Sequence, residues 1–259
     1  MEFGCCAGIE KAGDLKQAGF DFMECTVLSL LPEESDEEFS EILIRYQKSN
    51  LPVKACNVLL PGDLKVTGEN VDWDRLTNYI ENAFRRVHQI KAAIVVFGSG
   101  VARSYPEGFS KKTAEQQIIN FLKMCAEYAE PLGITVVIEP LNKKESNIIN
   151  SLHEAADIAK KVNNESVKIL ADFYHMEEEK ESLENIIQFS DYIKHIHVAD
   201  TGRLAPGTGK YPYSLFMDCI RQAEYTGYIS IECKWLDMAQ EARSAKKFLD
   251  ESYSSVGQR

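Results

Sequence analysis

Basic charge is scarce in this chain of 259 residues, where 29 lysines and arginines stand against 40 aspartates and glutamates, a formal net charge of −11. Nucleic acids and anionic membranes are bound through Lys and Arg, so this balance argues against either as partner and favours a small, neutral or metal-engaged ligand. Long apolar runs are missing as well. None approaches the roughly 20 residues that span a bilayer, and the opening Met1-Glu2-Phe3-Gly4 lacks a basic region followed by an apolar one. The seven cysteines are odd in number and contain no Cys-x-x-Cys. They read as reduced thiols of a cytoplasmic protein, with Cys5, Cys25, Cys56 and Cys233 as small core residues. Gly98-Ser99-Gly100, followed by Arg103, lacks a third glycine at dinucleotide spacing and reads as a tight loop.

Against these absences stands one repeated pattern. Thr135 to Ile138 is an unbroken β-branched run, as in a strand covered on both faces. It ends in Glu139, and Pro140 then takes the chain off the sheet. Three later apolar runs end alike: Val167 to Ala171 in Asp172, Tyr192 to Ile196 in His197, and Tyr228 to Ile231 in Glu232. Earlier strand candidates are Glu2 to Ala7, Phe20 to Val27, Pro52 to Leu60 and Ala92 to Phe97. Helical stretches separate them, such as Trp73 onward with Leu76, Ile80, Ala83, Phe84 and Val87 on one face. An acidic helix is expected from Glu177 and a last one ending near Tyr253. Eight strands alternating with eight helices predict a parallel sheet closed into a (β/α)8 TIM barrel over residues 1–253, with 254–259 as a fraying tail. An open doubly wound sheet is the alternative. In both folds ligands sit at the strands' C-terminal ends.

Glu139, Asp172, His197 and Glu232 would then share one mouth. Three carboxylates and an imidazole suit one divalent ion such as Mn2+, Mg2+ or Co2+. Three buried anions without a cation would repel, so convergence calls for such an ion. Past these strand ends lie Glu145, His175 and Arg203, expected on loops that reach a substrate. His195 shares the inward face of His197, as layer packing or as support for its neighbour. Ser151 to Glu154 reads as a capping box, which places His153 on an exposed first turn.

The motifs Ile138-Glu139-Pro140-Leu141-Asn142 with Glu145, Asp172-Phe173-Tyr174-His175, His195-Ile196-His197 with Arg203, Pro206-Gly207-Thr208-Gly209 and Ile231-Glu232 resemble the sugar phosphate isomerase/epimerase family of xylose isomerase-like barrels. Among its members they are most similar to ketose 3-epimerases of the tagatose and psicose type. The N-terminal half matches only in general plan, including Glu24 and the Asn57 to Gly68 region. The resemblance implies a metal, usually manganese, on Glu139, Asp172, His197 and Glu232, with His175 and Arg203 on substrate oxygens and Glu145 orienting them. It breaks at Ala199-Asp200, where these epimerases carry Gly-Glu.

The expected function is therefore a metal-dependent isomerase or epimerase of a small sugar. It would abstract a proton beside a carbonyl through a metal-stabilised enediolate, with Glu139 and Glu232 exchanging protons on opposite faces. A lyase or dehydratase of the 3-keto-glycoside or inosose type, or a hydroxypyruvate isomerase, stays open, as does a homo-oligomer. A DNA-repair endonuclease with three zinc ions is disfavoured, because only five histidines are present and His88 and His153 belong to helices. A non-catalytic sugar-binding barrel has no need of a full ligand set.

Overall fold

The computed structural model describes residues 1–255. Eight strands, β1 (Glu2–Cys6), β2 (Phe22–Thr26), β3 (Val53–Asn57), β4 (Ile94–Phe97), β5 (Thr135–Ile138), β6 (Val167–Asp172), β7 (Ile193–Val198) and β8 (Tyr228–Ile231), pair in parallel in chain order. β8 returns to β1, with Phe3 beside Ile229 and Cys5 beside Ile231. The sheet is thus a closed barrel, not the open alternative. The first four strands are shorter than the apolar runs that announce them, while β5 and β8 coincide with theirs and β6 and β7 extend one and two residues past theirs, through Asp172 and Val198.

Alternation along each strand decides what faces the lumen. Ala55, Ile94, Val96, Val137 and Leu170 form a small apolar cluster, with Tyr228 against it, separate from the large core between strands and helices. Two residues further along the same faces come Asn57, Glu139, Asp172 and Ser230, and one more such step on β8 gives Glu232. The polar mouth is therefore the next layer above an apolar plug.

Ten helices surround the barrel among the described residues: α1 (Ala12–Ala18), α2 (Asp36–Gln47), α3 (Trp73–Gln89), α4 (Gly100–Arg103), α5 (Lys111–Ala129), α6 (Leu152–Val162), α7 (Phe173–Glu179), α8 (Asn185–Gln188), α9 (Tyr213–Gln222) and α10 (Met238–Ser255). α3 turns Leu76, Ile80, Ala83, Phe84 and Val87 inward, each large side chain worth roughly 1.5–3 kcal/mol of burial. None of the described helices is long and apolar enough to cross a membrane.

Three local expectations change. α7 starts directly after β6 instead of at Glu177, because Asp172 Oδ1 accepts from the His175 backbone N–H at 3.0 Å and caps it. His175 thereby moves from a loop into a buried first turn. Ser151 accepts from the Glu154 amide, but the Glu154 carboxylate turns to the Asn150 amide, so only half of that capping box forms. The complete box is Ser35 with Glu38, at the start of α2. α10 runs through Ser255, two residues past its expected end, with Arg221 donating to the Tyr253 carbonyl. Residues 256–259 of the expected tail lie outside the described residues.

Candidate active site

Four strand ends bring Glu139, Asp172, His197 and Glu232 together, each offering one ligand atom within 4.8 Å of the others. His197 Nδ1 is the centre of this group. It lies 3.1 Å from Glu139 Oε1, 3.6 Å from Glu232 Oε2 and 3.9 Å from Asp172 Oδ2. Its other nitrogen, Nε2, is 2.9 Å from Glu24 Oε1. A carboxylate only accepts, so Nε2 carries a proton; Nδ1 faces the three carboxylates, and with a cation among them it would turn its lone pair to that ion. Three anionic oxygens and one imidazole nitrogen turned toward a common point fit a divalent cation.

The groups that hold these four in place come from residues far apart in sequence. Glu24 lies in the lumen with no exposure and grips two imidazoles, His195 Nε2 at 2.7 Å as well as His197. His195 thus shares Glu24 with His197, in line with a supporting place beside the cluster. Asn57 Nδ2 donates to Glu232 Oε1 at 3.0 Å. Arg103, fully buried in α4, donates to the carbonyls of Phe97 and Glu139 at 3.0 and 2.7 Å and so holds the backbone at the end of β5. Gly98 leaves room for Glu139, for a Cβ there would lie 2.0 Å from Oε2.

Burial pushes the Glu139 carboxyl above its ordinary range, aided by Glu232 and Asp172 and opposed by His197. Asp172 is raised by burial, then by Glu232. Burial acts on Glu232 in the same sense, but His197 and Arg203 outweigh it and hold that carboxyl low. Glu24 is also held low against burial, by His197 and His195. His197 is raised in spite of burial by Glu24, Glu232 and Glu139. A bound dication would reverse the pressure on the three ligand carboxylates.

Arg203 spans the rim. Its Nη1 donates to both Glu145 oxygens at 3.1 Å and its Nη2 to Glu232 Oε2 at 2.5 Å, over the Tyr174 ring. His175 is buried beside Asp172, and Asn142 lies against its Nδ1. All seven predicted site residues therefore converge. The sequence pattern does not mark Gly98 or Arg103 as site residues, brings in Glu24 and Asn57 only through a general likeness, and quotes Asn142 in a motif without giving it a role. His153 is exposed beside Asp157, as expected.

A family model described as a xylose isomerase-like TIM barrel matches residues 13–252. A D-psicose 3-epimerase of Ruminiclostridium cellulolyticum is 28% identical over 49% of this chain, which there spans 44% of that relative's length. A 3-dehydro-D-guloside 4-epimerase of Escherichia coli is 26% identical over 86% of both chains. The crystal structure of a D-psicose 3-epimerase with D-tagatose, from Clostridium cellulolyticum, superposes with a TM-score of 0.84 over 98% of this chain and 99% of that one, at 19% identity.

Proposed function

The chain belongs to the xylose isomerase-like TIM barrel family, and on that footing we propose that it is a divalent-metal-dependent epimerase of a small keto sugar. The two named relatives, a 3-epimerase of a 2-ketose and a 4-epimerase of a 3-dehydro sugar, each invert a carbon next to a ketone. That reaction needs a proton removed from one face and returned to the other. The observation that carries the reading is a pair of carboxylates, Glu139 and Glu232, which come from strands three places apart and close on one histidine nitrogen.

Glu139, Asp172, His197 and Glu232 would hold one divalent ion, Mn2+ by preference with Mg2+ or Co2+ as alternatives. When bound, it supplies Lewis-acid stabilisation of negative charge on the substrate's oxygens. Of Glu139 and Glu232, one takes the proton and the other returns one on the opposite face. For the other epimer the roles exchange. Arg203 and His175 hold substrate oxygens, and Glu145 keeps the Arg203 guanidinium on the rim.

The test is isotope exchange with keto sugars in D2O and Mn2+. Wild-type protein incorporates deuterium at the carbon beside the carbonyl. Glu139→Gln and Glu232→Gln, checked for retained metal, each abolish turnover, and at most one still exchanges the proton of a given epimer. Turnover without solvent exchange would signify a hydride shift and remove both glutamates from proton transfer.

A further inference from the structure

We propose that Asn142 is a positioning residue that decides which ring nitrogen of His175 carries the proton. It thereby presents Nε2–H to the mouth as a donor for a hydroxyl or carbonyl oxygen of the substrate, a role that rests on the sugar-site reading above. The backbone N–H of Asn142 points at His175 Nδ1, 3.1 Å away. An amide N–H can only donate, so Nδ1 must accept. The side chain repeats the message, with Asn142 Nδ2 2.9 Å from the same ring nitrogen.

Which way that carboxamide faces is decided by its other partners. Its Oδ1 accepts from the Lys144 backbone N–H at 3.0 Å, and its Nδ2 also donates to Glu145 Oε1 at 3.0 Å. Both bonds would fail in the flipped orientation. With two donors on Nδ1, a neutral ring bears its proton on Nε2. That nitrogen is buried and has no hydrogen-bond partner, in a ring only 3% exposed. Asp172 Oδ2, at 3.9 Å, is too far to accept from it but places it beside the carboxylate cluster. Buried donors left unpaired are rare, and one aimed into a ligand mouth is matched by a ligand's oxygen.

Ring protonation can be read directly. Protein labelled with 15N-histidine and loaded with diamagnetic Mg2+ gives long-range proton–nitrogen correlations for five histidines, and His175 is assigned by its loss in His175→Gln. Wild type should show His175 protonated on Nε2 and bare on Nδ1. Asn142→Asp keeps the backbone donor on Nδ1 but puts an acceptor where the side-chain donor stood, and should shift part of the ring population to protonation on Nδ1. With metal content unchanged, KM for a keto sugar should then rise about tenfold while kcat moves less. A wild-type His175 protonated on Nδ1, or Asn142→Asp with wild-type ring protonation, overturns the proposal. The wild-type spectrum needs neither a variant nor a substrate, so what it says of Asn142 holds whether or not a keto sugar turns over.

Discussion

Gly98→Ala should damage the site while sparing the fold. Gly98 follows β4 directly and faces the Glu139 carboxylate; an added methyl carbon would sit 2.0 Å from Oε2, where real Cβ contacts keep at least 3.0 Å. The next atoms it meets also belong to the Glu139 side chain, at 3.2 and 3.9 Å. The clash is therefore relieved by swinging a carboxylate back about 1 Å, not by moving backbone. A misplacement of about 1 Å at reacting groups costs on the order of 100-fold in rate, or about 2.7 kcal/mol. Stability changes little. The glycine is not in the left-handed region, so alanine gains roughly 0.4–1 kcal/mol through the unfolded chain. That gain offsets about 1 kcal/mol for a strained Glu139–His197 contact. Steady-state kinetics on a keto sugar with Mn2+ and a thermal melt of the same preparation decide the matter. Activity within about threefold of wild type would refute the packing argument, and so would a melting drop above about 10 °C, which at about 2–4 °C per kcal/mol means a backbone clash.

Asp172→Asn should lose the ion and its stabilisation together: an ion at a hundred times its Kd contributes about 2.7 kcal/mol, or roughly 5–10 °C here. Retained metal and unchanged melting would take Asp172 out of the ligand set. Arg203→Ala should keep its metal while kcat/KM falls about 100-fold; parallel loss of metal and activity would instead place Arg203 in support of the ligands. Glu24→Gln sets an amide N–H against one of two imidazoles and should weaken metal binding about 10- to 100-fold, as a metal titration would show. Because His197 and His195 hold the Glu24 carboxyl below its unfolded value, its stabilisation is complete above about pH 4.3 and is lost as pH falls. Metal-free wild type should therefore lose more stability between about pH 5 and 3 than Glu24→Gln does, and parallel acid melting curves would contradict it.

The convergence of the four residues was legible because each closes an apolar run, and parallel strands place their ends at one face. Glu139 before Pro140 is the plainest case. Glu24 carries no such mark. It sits mid-strand in Phe22–Thr26, and its contacts appear only when β2 is placed across the lumen from β7, 171 residues away in sequence from His195. Asn142 closes the Ile138–Asn142 motif but shows no role there, since its partners are fixed by the capping of α7, a local event that the apolar periodicity does not report. The start of α7 was missed for the same reason: Asp172 serves both as a strand end and as an N-cap.

The break in resemblance at Ala199-Asp200 also acquires a physical meaning. The Asp200 carboxylate is buried and accepts from the backbone N–H groups of Thr201, Gly207 and Tyr211 at 2.7, 3.0 and 3.2 Å. It faces Gly209 so closely that a Cβ there would stand 2.2 Å from Oδ1. These bonds fold the loop between β7 and α9 on itself, and Asp200 pairs with Leu204 across it. Between them Gly202 and Arg203 take left-handed backbone, at φ 73° and 62°, strain that a non-glycine residue adopts only when its surroundings over-determine it. Asp200 thus acts on the carrier of Arg203 and makes none of the contacts of the ligand cluster. A glutamate, one methylene longer, would not fit these three donors unchanged, so the departure bears on the rim that carries Arg203 and leaves the four clustered residues as they are.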